Sequence, residues 1–362
     1  MIDLRLQIDP LPISEPIVVR LQNEPAACET EHDAILVERD GARLEYDYNG
    51  FSLGVHQREN ESFAGDVILA FPGQRTAHRL IRSASPHNTF LVTEQCDQLC
   101  VMCSQPPKKL HADLFSQFAV AATLAPANAM IGISGGEPLL HKGRLFEMVE
   151  IVASVRPDIR FHILSNGQHL SADDVPRLVS IGTERILWGI PLYAADGAVH
   201  DQIVGKDGAF EKVQSGLAIL MKAGASVELR TVAMRQNKDR LTELADFLFT
   251  RLSYIDVWAI MQMERIGYGR MNWSTSFHDS STDFSGIAKA IDVSTARGLS
   301  VALYNFPLCS VPAPYRHYAL STISDWKRKY LEICDKCGSR AACGGFFEWY
   351  SHNEGFAALG TI

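Results

Sequence analysis

The chain has 362 residues, 46% of them hydrophobic, enough to bury a sizeable core and to form two or three domains. Its formal charge of −8, with Lys and Arg scattered along the sequence, offers no basic footprint for a long phosphate backbone, so nucleic acid is not expected as a partner. The N-terminus, MIDLRLQIDPLPISEP, lacks a basic stretch followed by an apolar run, and no window approaches the roughly 20 apolar residues that span a bilayer; a cytoplasmic protein with no membrane partner is expected.

Residues 1–85 read as short extended pieces separated by turns. The stretch ILVERDGARLEYDYNGFSLGVH alternates as hairpins do, with turns expected at Asp40–Gly41 and near Asn49–Gly50, and DVILAFPGQRTAHRL has the same texture. A small, mostly β N-terminal region follows; recognition of a peptide leader and a cover over a barrel side are both open roles for it. The isolated Cys28 is expected to be a small buried hydrophobe.

From about residue 86 short β-branched runs alternate with amphipathic helices. NTFLVT precedes a helical DLFSQFAVAATLA; AMIGIS, IRFHILS, RILWGIP, SVELRTVAM and DVWAIM each precede a helical segment of their own, and LSVALYNF closes the series. Continuous apolar runs alternating with helices are the pattern of βα units on a parallel sheet. The expected fold class is α/β, with a closed or partly open βα barrel over residues 86–305 favoured over a doubly wound sheet. In either architecture chemistry collects at the C-terminal ends of the strands.

Three unusual loops obey that rule. After the first strand, QCDQLCVMCSQPPKK places Cys96, Cys100 and Cys103 at C-x3-C-x2-C. Grouped cysteines in a reducing compartment argue for metal binding, and either an iron–sulfur cluster or a zinc ion with a distant fourth ligand suits three thiolates on one loop. After the second strand come Gly135, Gly136, Glu137 and Pro138; paired glycines let a backbone approach a ligand closely, and Glu137 before a proline is an acceptor in a fixed pose. Ser165–Asn166–Gly167 follow the third strand.

In this order, the three motifs resemble the radical S-adenosylmethionine (SAM) superfamily. The resemblance implies a partial (β/α)6 TIM-like barrel with a [4Fe–4S] cluster on Cys96, Cys100 and Cys103, whose fourth iron is left for the amino and carboxylate groups of SAM. It implies that Gly135, Gly136, Glu137 and Pro138 meet the SAM amino group, and Ser165 and Asn166 the ribose. Reduction of the cluster would cleave SAM to methionine and a 5′-deoxyadenosyl radical, with an electron donor such as flavodoxin or ferredoxin. Met102 departs from the aromatic residue common before the last cysteine. GIPLYAADGAVHDQIVGKDGAFEKV (189–213) resembles the fourth-strand region of the peptide-modifying branch, with His200 and Asp201 expected to fix a loop. VELRTVAMRQN (227–237) resembles its fifth strand, where Arg230 either reaches the SAM carboxylate or forms an interior ion pair. His141 reads as a helix-start residue. No catalytic side chain of the chain's own is assigned.

Residues 306–362 bring Cys309, Cys334, Cys337 and Cys343, the last three at C-x2-C-x5-C. A structural zinc site is one reading; after a radical barrel the spacing resembles SPASM and twitch extensions, which implies one auxiliary [4Fe–4S] cluster with all four irons filled. A narrower resemblance, carried by FPGQRTAHRL (71–80), HNTFLVTEQCDQLCVMCSQPPK (87–108) and the reduced cysteine tail, is to the HxsC-type maturases of His-Xaa-Ser systems. It implies oxidative modification of a small, ribosomally made precursor peptide, alongside a second radical SAM maturase. The same radical chemistry on a small metabolite or nucleoside is the alternative, and a non-catalytic zinc or iron–sulfur scaffold a third reading.

Overall fold

The computed structural model describes residues 4–58 and 61–362. Its contacts divide the chain into two compact units. The first comprises Met1–Val92, Ala112–Ser134 and His141–His162; the second comprises Thr93–His111, Gly135–Leu140 and Ile163–Ile362.

In the first unit, seven strands close into a barrel: β1 (Arg5–Ile8), β2 (Ile17–Gln22), β3 (Asp33–Asp40), β4 (Arg43–Tyr48), β5 (Phe51–His56), β6 (Val67–Ala70) and β7 (Thr76–Ile81), in the order β1-β5-β4-β3-β2-β6-β7. Closure leaves no unpaired edge. Both expected hairpins are present. Asn49 and Gly50 adopt φ of 52° and 82°, the paired positive values that an Asn-Gly hairpin turn requires. Alternation along β4 and β5 sends Leu44, Tyr46, Leu53 and Val55 inward, onto Leu21 and Phe63. Arg79 is buried with Asp66, its Nε donating to Oδ2 at 2.6 Å. Cys28 is exposed, contrary to expectation, because it caps the 3₁₀ turn Pro25–Ala27 at the surface.

The second sheet contains β8 (Asn88–Thr93), β9 (Met130–Gly135), β10 (Arg160–Leu164), β11 (Ile186–Pro191), β12 (Ser226–Ala233), β13 (Val257–Gln262) and β14 (Val301–Tyr304). Their order is β14-β13-β12-β11-β10-β9-β8, so each strand neighbours its predecessor in the chain and the two end strands do not pair. That is the order of an unclosed βα barrel. The pairings from β11 to β14 are parallel, with Gly189 opposite Glu228 and Arg230 opposite Ala259. The helices are α1 (Phe115–Thr123), α2 (Lys142–Val155), α3 (Val175–Ile181), α4 (Gly197–Val204), α5 (Ala209–Ala223), α6 (Leu241–Arg251), α7 (Gly267–Met271), α8 (Trp273–Ser276) and α9 (Ser285–Ala296). Trp188 and Trp258, on β11 and β13, are fully buried.

Each strand and helix expected from residue 88 to 306 is present to within about two residues. Three helices were not anticipated. Asp196 caps α4, its carboxylate accepting from Ala198 N and Val199 N, and Gly205 ends it in the left-handed conformation. The short α7 and α8 lie between β13 and α9. Beyond β14 the chain is mostly 3₁₀ turns, with one antiparallel clip between β15 (Arg328–Lys329) and β16 (Phe346–Phe347). Among the described residues no helix is long and apolar enough to cross a membrane.

Candidate functional site

All three motif loops fall within the second unit. The cysteine loop is held by backbone bonds: Leu99 N donates to Val204 O at 3.0 Å and Val101 N to Ile203 O at 2.9 Å, so it pairs with the last turn of α4. Cys103 N closes a turn on Cys100 O at 3.0 Å. From the other side α7 and α8 dock, with Tyr268 N on Cys103 O at 2.8 Å and Asn272 Nδ2 on Val101 O at 2.9 Å. Gly267 makes this approach possible. It has φ +56°, and a Cβ there would stand 2.6 Å from Cys103 O and 2.7 Å from Ser104 O. Met102 is buried in an apolar cluster with Tyr193, Ile203, Met234 and Met263, which gives this position a core-packing role.

The glycine pair serves the protein's own backbone. Gly136 N donates to Thr93 O at 2.8 Å and Glu137 N to Gln95 O at 2.7 Å. A Cβ on Gly135 would lie 2.1 Å from Thr93 O, and one on Gly136 2.1 Å from Gln95 O, so only glycine admits this contact. Pro138 and Leu139 behind it are buried. The Glu137 side chain is fully buried and latches the second loop to the third. Its Oε1 accepts from Leu139 N at 2.8 Å and Ser165 Oγ at 2.7 Å, and its Oε2 accepts from Asn166 N at 2.6 Å. Burial pushes its pKa up while these donors pull it down.

Asp97, which sequence reasoning missed, is the matching tie on the cysteine loop. It accepts from Asn166 Nδ2 at 2.9 Å and contacts His169 Nε2 at 3.1 Å and Lys206 Nζ. Burial raises its pKa, but the His169 and Lys206 contacts outweigh this and hold it well below the usual carboxylate range. Nothing local marks it, since its partners lie 69 to 109 residues away. Asn166 thus joins both ties. His200 and Asp201 fix the neighbouring loop as expected. The His200 Nδ1 accepts from Tyr193 N at 3.3 Å, and Asp201 accepts from Gly208 N at 2.6 Å and Phe210 N at 2.7 Å. His141 is the N-cap residue of α2. Arg230 adopts the ion-pair alternative: its Nη1 donates to Glu228 Oε1 at 2.5 Å, and Tyr304 Oη donates to Glu228 Oε2 at 2.8 Å.

The thiols of Cys96, Cys100 and Cys103 interact electrostatically with one another. Burial pushes Cys96 up to about 11 and Cys100 up to about 12, and raises Cys103 as well, so each proton must leave when a metal binds. Cys309, Cys334, Cys337 and Cys343 together line one small pocket with Leu308 and Phe346. Cys343 Sγ accepts from Leu308 N and Gly345 N, each at 3.4 Å, bonds of the kind that tune cluster sulfurs. Among the described residues no three His, Cys, Asp or Glu side chains converge at the spacing of a single ion. Soft thiol donors grouped in this way, without the spacing of a single ion, fit polynuclear clusters, whose ligands sit on separate irons.

A sequence model of the radical SAM superfamily matches residues 90–248. Among curated proteins, the AdoMet-dependent heme synthase of Methanosarcina barkeri is 26% identical over 158 residues, covering 42% of this chain and 44% of its own. A GTP 3′,8-cyclase of Campylobacter jejuni subsp. doylei is 29% identical over 190 residues, covering 50% and 57%. The chain therefore spans about half the length of the curated relatives it matches. The crystal structure of Streptococcus suis SuiB bound to S-adenosylmethionine superposes with a TM-score of 0.50 at 17% identity, over 61% of this chain and 51% of that one, a likeness of fold.

Proposed function

The chain carries a radical SAM domain, the family that works with a [4Fe–4S] cluster, SAM and an external reductant, and from that premise we propose that it is a maturase of a small, ribosomally made peptide. Cys96, Cys100 and Cys103 would hold the SAM-binding cluster, and Cys309, Cys334, Cys337 and Cys343 an auxiliary one. When bound, the cluster and SAM supply a 5′-deoxyadenosyl radical able to abstract a substrate hydrogen. The observation that carries the radical SAM assignment of these residues is the tying of the three loops by Glu137 and Asp97, since three motifs distant in sequence become one rigid surface.

The chain's own residues then have separable tasks. Glu137 and Asp97 keep the cysteine, glycine and Ser165–Asn166 loops in register, which preorganises a surface for the amino, carboxylate and ribose groups of SAM. Arg230 is held on β12 by Glu228, which Tyr304 Oη steadies in turn, and its positive charge acts on Tyr193 and Glu264. The Met102, Tyr193 and Met263 cluster keeps the back of the cysteine loop dry, as containment of a carbon radical demands. Peptide as substrate rests on the likeness of residues 71–80, 87–108 and 189–213 to the peptide-modifying branch and HxsC-type maturases. A nucleotide substrate is the second reading, favoured by the similarity to GTP 3′,8-cyclases.

The test is anaerobic reconstitution followed by reduction in the presence of SAM, with co-expressed small peptides from neighbouring genes analysed by mass spectrometry. Formation of 5′-deoxyadenosine that disappears in Cys100→Ala is expected, together with a mass change in one peptide. A wild-type protein that binds only zinc, or Cys100→Ala still yielding 5′-deoxyadenosine, would overturn the radical assignment. Conversion of GTP with no peptide modified would select the second reading.

A further inference from the structure

The segment between β13 and α9, which the βα pattern leaves unused, walls an open groove in the second unit. Arg235 follows β12; Arg265 and Arg270 follow β13; all three line it. It therefore opens at the strand ends that carry the cysteine loop, and α7, which bears Arg270, is bonded to Cys103 O through Tyr268 N.

Charge in the groove is not balanced. Arg265 pairs with Glu354, and its Nε is buried without a hydrogen-bond partner. The Arg235 guanidinium donates to Ser274 O at 2.9 Å, and among the described residues neither it nor that of Arg270 has a carboxylate partner. The Asp279 carboxylate on the wall is occupied by Ser281 and Ala357 N. On a chain of net charge −8, two unpaired guanidiniums beside one incompletely satisfied are a local exception.

The apolar part of the wall indicates which anion fits. Trp273 is stacked on Phe277 at 4.1 Å, and Phe277 meets Phe356 edge-on, so the indole is committed to packing rather than offered to a nucleobase. Met271 is 75% exposed, a flexible thioether that adapts to varied side chains. Separated guanidinium forks bind carboxylates in pairs of hydrogen bonds, each independently of the next. We propose that this groove is the docking site for an acidic segment of the peptide substrate, with Arg235 and Arg270 each taking an Asp or Glu carboxylate and the Arg265–Glu354 pair forming the wall between them. The proposal rests on the peptide-maturase reading and names the substrate feature that it lacks.

The experiment is fluorescence anisotropy on the reconstituted full chain with a fluorescein-labelled decapeptide of Glu, Gly and Leu, and with its Glu→Gln counterpart. The Glu peptide binds at least about tenfold tighter; Arg235→Gln and Arg270→Gln each weaken it about threefold and together about tenfold, additively for separate contacts. Arg251→Gln, exposed on α6, leaves it unchanged, and Arg270→Lys, which keeps the charge but loses the fork, falls in between. Equal binding of the two peptides, an unaffected double variant, or displacement of the Glu peptide by equimolar GTP overturns the groove. Formation of 5′-deoxyadenosine by the wild type is measured alongside. If it forms and a co-expressed peptide is modified while both decapeptides bind alike, the groove fails alone; if it forms and no co-expressed peptide is modified, the peptide-maturase reading fails; if it does not form, the radical SAM assignment beneath both fails.

Discussion

Glu137 shows how a motif acidic residue can be wholly absorbed by the protein. Its two oxygens accept from Leu139 N, Ser165 Oγ and Asn166 N inside a fully buried site. Glu137→Gln sets an NH₂ group against a donor, and leaving a buried donor unmet costs about 1–3 kcal/mol. A lowered urea midpoint is expected, with a smaller loss for Ser165→Ala, which leaves the carboxylate two of its partners. His200 supplies a pH effect of known sign. Burial lowers its pKa from 6.5 to about 4, because the ring sits under the loop that follows β11 and must stay neutral to accept from Tyr193 N. The unfolded chain takes up a proton below pH 6.5 and the folded one does not until about 4, so stability falls across that window as the pH drops. His200→Gln removes this part of the slope in urea midpoints measured between those two pH values.

At the scale of elements, the sequence displays what is periodic and local. The hairpins at Asp40–Gly41 and Asn49–Gly50 carry their turn residues, and β8 to β14 alternate with helices because buried parallel strands must be continuously apolar. The candidate ligands are legible for the same reason, since C-x3-C-x2-C is a spacing. What stays hidden is long-range. Asp97 looks like any loop acid until Lys206 folds back on it, and the short α7 and α8 form because the cysteine loop gives their first residues something to bond. Gly267 belongs to that hidden class, and its close approach to Cys103 O makes α7 a support for the cysteine loop. In Gly267→Ala the new Cβ must displace that carbonyl, and a left-handed non-glycine residue adds strain of about 1 kcal/mol. Iron and sulfide retained at the first site are expected to fall, as counted after anaerobic reconstitution and desalting. Gly143→Ala on α2, where a Cβ meets nothing within 4 Å, keeps full metal content.

For the whole molecule, the decisive quantity on the two-cluster reading is how its thiols divide between the proposed centres. Seven cysteines fall into a group of three and a group of four, and each group lies within the second unit without meeting the spacing of a lone ion. Three thiolates leave one iron of a cubane free for an outside ligand, whereas four fill it. The reconstituted wild type should therefore carry about eight iron and eight sulfide per chain, two [4Fe–4S] clusters. Cys96→Ala is expected to retain about half of that iron and to lose 5′-deoxyadenosine formation, because a site short of a third ligand cannot both hold a cluster and present its open iron. Cys334→Ala is expected to retain the other half and still to form 5′-deoxyadenosine, since the first group keeps its three thiols and its support from α4 and α7. On the peptide-maturase reading, peptide modification fails in both. Electron paramagnetic resonance of the reduced variants separates the centres: the signal that persists in Cys334→Ala changes on adding SAM, and the one that persists in Cys96→Ala does not. Four iron and one zinc in the wild type would instead make the C-terminal group a structural site, and Cys334→Ala would then lower the unfolding midpoint while leaving the iron count at four.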